Sequence, residues 1–391
     1  MAAFNDQKLD TVGIFNDSFP PIMDGVSLTA QNYAYWLHQK EQAVCVVTPR
    51  MPDYRDVESY PVYRYSSFPI LGRKPYRLGF PEMDRTLQSN MNNIQFGLVH
   101  AHCPFSSGNA ALDIARSQKI PLIATFHSKY RDDFEQTVHC KLIVKFMIHK
   151  IIRFYEKANE VWIPQASVEE TLREYGYKGK VEVVANGNDF DSDVPVLPVK
   201  IQARNELGLA ADIPVLLFVG QLIWEKNIEM IIQSLVLIKD LAFKMYFVGA
   251  GYAAADIKKM VADAGLTDKI EFTGIIADRE KLKQYYAAAD LFLFPSTYDT
   301  WALVIHEAAA LQTPSLLVND STISKTITDN VNGFLCENTP EAVSLRLREL
   351  LAHPELIRCA GLRASQTINR SWEIVTDEVL DRYKHLKNRI L

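Results

Sequence analysis

The chain has 391 residues, 48% of them apolar, and a formal net charge of -5. That length favours two globular domains over one core, and the weak negative charge argues against a bulk nucleic-acid binder. Its five cysteines, Cys45, Cys103, Cys140, Cys336 and Cys359, are scattered without a Cys-x-x-Cys pair, which fits free thiols in a reducing cytoplasm better than a disulfide scaffold or a zinc site.

Met1 to Asp10 is polar and lacks the apolar core of a signal peptide. Thr11 to Phe15 reads as a buried strand, Asn16 to Gly25 as a loop, Val26 to His38 as a helix and Ala43 to Thr48 as a second strand. Gly25 stands where the loop meets the helix. Its missing side chain would let backbone amides approach a phosphate, although the spacing is not that of a dinucleotide fingerprint. Tyr63 to Phe80 interleaves Arg64, Arg73, Lys74 and Arg77 with aromatic residues. It is expected to be a solvated loop, or else a basic–aromatic surface for an anionic acceptor or membrane headgroups.

Gly97 to His102 reads as a strand ending in His100-Ala101-His102, and Ile120 to Phe126 as another ending at His127. Open α/β sheets bind ligands at the carboxyl ends of strands, so the histidines form a candidate site. No further ligand lies at metal spacing beside them. Thr137 to Ala158 reads as one long helix with Lys141, Lys145, Lys150, Arg153 and Lys157 among apolar residues from Leu142 to Phe154. The apolar members are expected to face the core, and the basic face to be solvated or to meet a surface. The apolar stretch Leu142–Ile152 is broken by Lys145, His149 and Lys150, so no membrane span is expected.

Glu160 to Ile163 reads as a strand, and Ser167 with Glu170 as a capping box for a helix to Tyr175. Asp191 to Lys200 reads as a domain linker. Asp189, Asp191 and Asp193 imitate a metal motif but are expected to be a linker acid run. The alternation then restarts. A strand from Pro214 to Val219 leads to Gly220-Gln221 and Glu225-Lys226. Phe243 to Val248 ends at Gly249, and Ile270 to Phe272 ends at Thr273-Gly274.

Leu291 to Leu317 reads as strand, loop, helix, turn and strand, with Asp299 before the helix and Glu307 about halfway along it. Free amides at that helix start favour an anionic or hydroxyl-rich ligand. Pro354 to Leu391 reads as helical, with Trp372, Val375, Val379 and Tyr383 on one face. Both halves are therefore α/β repeats, which predicts two doubly wound domains facing across a cleft.

With these strand-end motifs the chain resembles the GT-B glycosyltransferases. More narrowly it resembles the large retaining family, glycosyltransferase family 4-like, that contains phosphatidylinositol mannosyltransferases and diacylglycerol glucosyltransferases. The resemblance implies an acceptor-binding Rossmann-like domain over 1–190 and a nucleotide-sugar domain over 191–370. Residues 371–391 would form a helix crossing back onto the first domain. Asp299 and Glu307 match the family's Glu-x7-Glu, with Glu307 on the ribose hydroxyls and Asp299 reaching the donor sugar. Lys226 would neutralise the diphosphate, and His102 would lie beside the transferred sugar. Asn186-Gly187-Asn188-Asp189 resembles the segment that closes the first domain.

The expected catalytic set is thus His102, Lys226 and Asp299. The donor would also meet Gly25, Gln221, Gly249, Gly274, Trp301, Ala302, Leu303 and Glu307. Arg73, Lys74, Arg77, His127, Lys141, Lys145 and Lys150 would serve the acceptor or a membrane face. No metal or cofactor is implied beyond the nucleotide sugar, UDP-glucose favoured over GDP-mannose. The acceptor would be a lipid or glycan hydroxyl at the cytoplasmic membrane face. Transfer would be front-face and retaining, since no carboxylate is assignable as a nucleophile.

Four positions depart from the family pattern. Gln221 replaces Arg, Asp299 replaces Glu, and Trp301-Ala302 replaces Phe-Gly. A catalytically weak relative that binds nucleotide sugar or a partner enzyme, and a nucleotide-sugar epimerase on the same fold, are the competing expectations.

Overall fold

Short apolar runs rich in β-branched and aromatic residues form the strands, and amphipathic segments between them form the helices. A computed structural model describes residues 9–70, 75–138, 140–190, 196–210, 212–299 and 301–390. The chain divides into two units, one of residues 1–186 with 372–391, the other of 187–371.

The first unit holds a seven-stranded sheet in the order Val62–Tyr65, Val44–Pro49, Thr11–Phe15, Phe96–Ala101, Leu122–Thr125, Glu160–Ile163 and Glu182–Val183. Every neighbouring pair is parallel. Such strands are buried on both faces, which is why Val44–Pro49 and Phe96–Ala101 are buried throughout. The period of two sends Val12 and Ile14 into one core and Phe15 into the other. The Val12 side is covered by the helix Gly25–Gln39 and the final helix, Trp372–Ile390, whose Trp372, Val375, Val379, Tyr383 and Leu386 are buried at helical spacing.

The second unit holds a six-stranded sheet in the order Ile270–Gly274, Lys244–Val248, Val215–Val219, Leu291–Leu293, Ser315–Val318 and Phe334–Cys336, again parallel throughout. Helices cover both faces around one large apolar core. In both sheets the order reverses beside the first strand, the place where open α/β sheets gather ligand-binding loops.

Several expectations are corrected. Tyr63–Phe80 is not simply a loop. It contains the edge strand Val62–Tyr65 and an antiparallel pair, Ser67–Pro69 with Arg77–Gly79. Arg64 is not solvated there, because its guanidinium pairs with Asp56 at 2.6 Å and donates to the carbonyl of Pro20. The helix expected from Thr137 to Ala158 is shorter, Lys141–Tyr155, since Val138 and Cys140 take extended backbone, and a separate helix, Tyr130–Thr137, precedes it.

The expected linker runs into a helix, Val196–Glu206, whose Pro198 lies in the first turn where no intrahelical donor is needed. Its residues 191–195 lie outside the described residues. The C-terminal helical stretch breaks between Thr367 and Trp372, where Arg370 and Ser371 pair with the backbone of Asn188. The capping box does not form: Ser167 is itself helical and gives no side-chain cap.

Candidate active site

In the second unit three strand-end loops are stitched together by backbone. Gly220 N–H donates to Val248, Gly249 N–H to Gly274 and Leu222 N–H to Ala250, at 2.9–3.0 Å. A Cβ on Gly249 would stand 1.9 Å from the Gly220 carbonyl oxygen, so only glycine permits this approach. Gly274 has φ +74, a conformation that also favours glycine. These expected donor-site glycines shape the loops, and Gln221 is exposed on the first of them.

Lys226 ends a short 3-10 turn, Trp224–Lys226, and left-handed Asn227 redirects the chain into the helix Ile228–Leu237. The Asn227 amide donates to the Pro295 carbonyl at 3.1 Å, tying this loop to the one carrying Asp299. Lys226 Nζ pairs with Asp299 Oδ1, and Ser296 Oγ donates to Asp299 Oδ2 at 2.5 Å. The rings of Phe294 and Tyr298 stand 5.4 and 5.7 Å from the ammonium.

Ala302 precedes the helix Leu303–Ala310 and supplies no side-chain cap. Thr300 lies outside the described residues. Trp301 lies over His306 with ring centroids 3.9 Å apart, and its buried indole N–H has no partner among the described residues. His306 Nδ1 lies 3.0 Å from the Ile368 carbonyl, an acceptor only, so Nδ1 carries the proton. Burial holds that ring neutral by lowering its pKa to about 4.

Glu307 is 2% exposed. Arg279 donates to Oε1 at 2.6 Å and Tyr286 to Oε2 at 2.7 Å. Neither partner was singled out from the sequence. Arg279 and Tyr286 lie seven residues apart, two turns along the helix Arg279–Ala288 and on one face, which is the signal that could have found them. Asp189 is no metal ligand here, as it pairs with Arg279 at 3.0 Å, while Asp191 and Asp193 lie outside the described residues.

In the first unit Asp24 caps the helix Gly25–Gln39, its Oδ1 accepting from Ser27 N–H at 2.7 Å. Burial pushes the Asp24 carboxyl above its usual range. Gly25 faces open space. His100, His102 and His127 cluster at adjacent strand ends. His100 is filled, with Tyr383 Oη 2.6 Å from Nδ1 and Thr125 Oγ1 2.7 Å from Nε2, so both possible metal-binding nitrogens are engaged. His102 Nδ1 lies 3.0 Å from His127 Nε2, while its own buried Nε2 has no partner among the described residues. Burial holds all three rings neutral, lowering His127 to about 3.

The expected surface residues separate. Arg77 braces its hairpin by donating to Ser67 Oγ and O at 2.8 Å, and Arg73 and Lys74 lie outside the described residues. Lys141, Lys145 and Lys150 are exposed. So, against expectation, are Leu142 (78%), Ile143 (50%) and Phe146 (58%), while Val144, Ile148, Ile151 and Ile152 make the core face.

Two family models meet this architecture end to end. "Glycosyltransferase Family 4" matches residues 23–192 and "Glycosyl transferases group 1" matches residues 199–365. The chain belongs to the family 4-like glycosyltransferases of the GT-B fold.

This glycosyltransferase is 26% identical over 352 residues to an alpha-monoglucosyldiacylglycerol synthase of Streptococcus pneumoniae, covering 88% of this chain and 79% of the relative. It is 25% identical to a GDP-mannose-dependent alpha-mannosyltransferase of Mycobacterium tuberculosis over 97% of each. Among solved structures, a sucrose-phosphate synthase of Thermosynechococcus elongatus superposes with a TM-score of 0.81 at 20% identity, covering 97% of this chain and 100% of that one.

Proposed function

We propose that the enzyme moves glucose from UDP-glucose to the hydroxyl of a membrane lipid such as diacylglycerol, with retention and without a metal. The observation that carries the lipid acceptor is the exposed face of Lys141–Tyr155, where Leu142, Ile143 and Phe146 stand among Lys141, Lys145 and Lys150. Apolar side chains inside a basic patch suit the headgroup boundary of an anionic bilayer. The proposed contact is peripheral, at the cytoplasmic face; among the described residues no helix is long and apolar enough to cross a membrane. The diacylglycerol-acting relatives support glucose as the transferred sugar.

Departure of the diphosphate needs positive charge held where negative charge grows. Lys226 supplies it, and the start of the helix Leu303–Ala310 adds amide dipoles. Glu307 would hold the ribose and Asp299 the sugar. His102 would orient the transferred sugar, and the departing phosphate oxygen would take the acceptor proton.

The test incubates purified protein with UDP-glucose or GDP-mannose and vesicles containing diacylglycerol, with and without EDTA. Glucosylated lipid of retained anomeric configuration, formed equally with EDTA, is expected. Mannosyl transfer would overturn the donor. Release of free epimerised sugar would mark an epimerase, and nucleotide binding without any turnover would mark a non-catalytic relative.

A further inference from the structure

Glu307 is a carboxylate almost sealed from water, and burial on that scale demands charge compensation. Arg279 supplies it. Burial works against the guanidinium charge, but Glu307 and Asp189 more than offset that and raise the Arg279 pKa. The geometry is more specific than neutralisation requires. Each Glu307 oxygen takes one hydrogen bond from the protein, Arg279 on Oε1 at 2.6 Å and Tyr286 on Oε2 at 2.7 Å. An ionised carboxylate offers about four acceptor positions. One acceptor therefore remains on each oxygen, side by side, which matches the two neighbouring hydroxyls of a ribose.

Arg279 is itself held from behind. Its Nε stands 3.0 Å from Asp189 Oδ2, and its guanidinium lies 4.5 Å from the centre of the Phe190 ring. Asp189 and Phe190 belong to the segment that opens the second unit. Phe190 N–H in turn donates to Asn188 Oδ1 at 2.6 Å. The planar fork is thus pinned on one side by this segment and aims its other nitrogen at Glu307.

We infer that Arg279 is a positioning residue for nucleotide recognition: anchored by Asp189 and Phe190, it turns the Glu307 carboxylate so that both oxygens receive the ribose diol. The inference rests on the reading of Glu307 as the ribose acid. Arg279 touches no substrate in this scheme and acts through Glu307. Loss of the fork leaves the acid held only through Oε2 by Tyr286, so Oε1 is no longer aimed and the ribose contact fails before the rest of the nucleotide is affected.

Calorimetry with UDP and its 2′-deoxy analogue, and with GDP and its 2′-deoxy analogue, reads this directly. The wild-type enzyme should prefer the ribonucleotide of whichever pair binds by about tenfold, the order of one hydrogen bond to a charged group. Arg279→Gln should bring that preference close to one while leaving the deoxy analogue's affinity within about twofold. Asp189→Asn, a milder change at a half-exposed residue, should reduce the preference to roughly threefold with the fold intact by circular dichroism. Equal weakening of both nucleotides by Arg279→Gln, or an unchanged preference in Asp189→Asn, would show that Arg279 only stabilises the fold and overturn the inference. A wild-type enzyme with no ribose preference would remove the role given to Glu307, and the inference with it.

Discussion

Lys226 and Asp299 form an ion pair between two loops of the second unit, their side chains only 12% and 14% exposed. The second Asp299 oxygen is taken by the Ser296 hydroxyl. The cation proposed for the diphosphate thus already has a protein counter-ion, and a donor must exchange with it.

Replacing Asp299 by Asn removes that competitor. UDP should bind about tenfold more tightly to the variant, since a partly buried charge pair is no longer broken on binding, while glucose transfer slows. Calorimetry alongside a turnover assay checks both; unchanged UDP affinity would remove the exchange argument.

Lys226→Ala takes away the charge opposite the leaving group. Transfer should lose roughly 2–4 kcal/mol of transition-state stabilisation, by analogy with removing one charge-stabilising donor. A near-normal rate constant would contradict the assignment.

Glu307→Ala has two separable consequences. It removes the closer of the two counter-charges of Arg279, which keeps Asp189, so stability should fall by about 2 kcal/mol, the order of a hydrogen bond to a charged group. Glu307→Gln keeps the shape and should unfold at a higher denaturant concentration than the alanine variant, yet bind UDP more weakly than wild type. Unimpaired UDP binding by the glutamine variant would refute the ribose role.

Membrane contact should depend on both halves of the exposed helix face. Neutralising Lys141, Lys145 and Lys150 together should weaken binding to phosphatidylserine vesicles by about 1 kcal/mol per lysine at low salt, less as salt screens the charges. Phe146→Ser should weaken it at any salt. Flotation of both variants like wild type would exclude this face.

Acid should destabilise the enzyme before its carboxylates titrate. His127 and His306 are held neutral when folded, at about 3 and about 4, but take up a proton below about 6.5 when unfolded. Their contribution is present above that pH and is lost as pH falls towards the folded values. Each should cost about 2 kcal/mol between pH 7 and pH 5. Asp17 and Asp24, raised by burial, act in the opposite sense, taking up protons in the folded protein above the pH at which they do so unfolded. His306→Asn should flatten the pH dependence of urea unfolding across that interval, and an equally steep dependence would count against this account.

Local pattern alone determined much of this protein. The period of two and the apolar runs marked the main strands, and position at strand ends singled out His102, Asp299 and Glu307 as candidates, because the carboxyl ends of parallel strands are where loops converge, while Lys226 entered only through the family resemblance. What chain order could not carry was which polar groups meet. Arg279 lies 28 positions before Glu307, and His100 takes its partner Tyr383 from the last helix. Nor could periodicity tell which apolar residues of Lys141–Tyr155 face outward, since Leu142, Ile143 and Phe146 are as hydrophobic as the residues that fill the core. That choice depends on the neighbouring elements, which cover one side of the helix and leave the other bare.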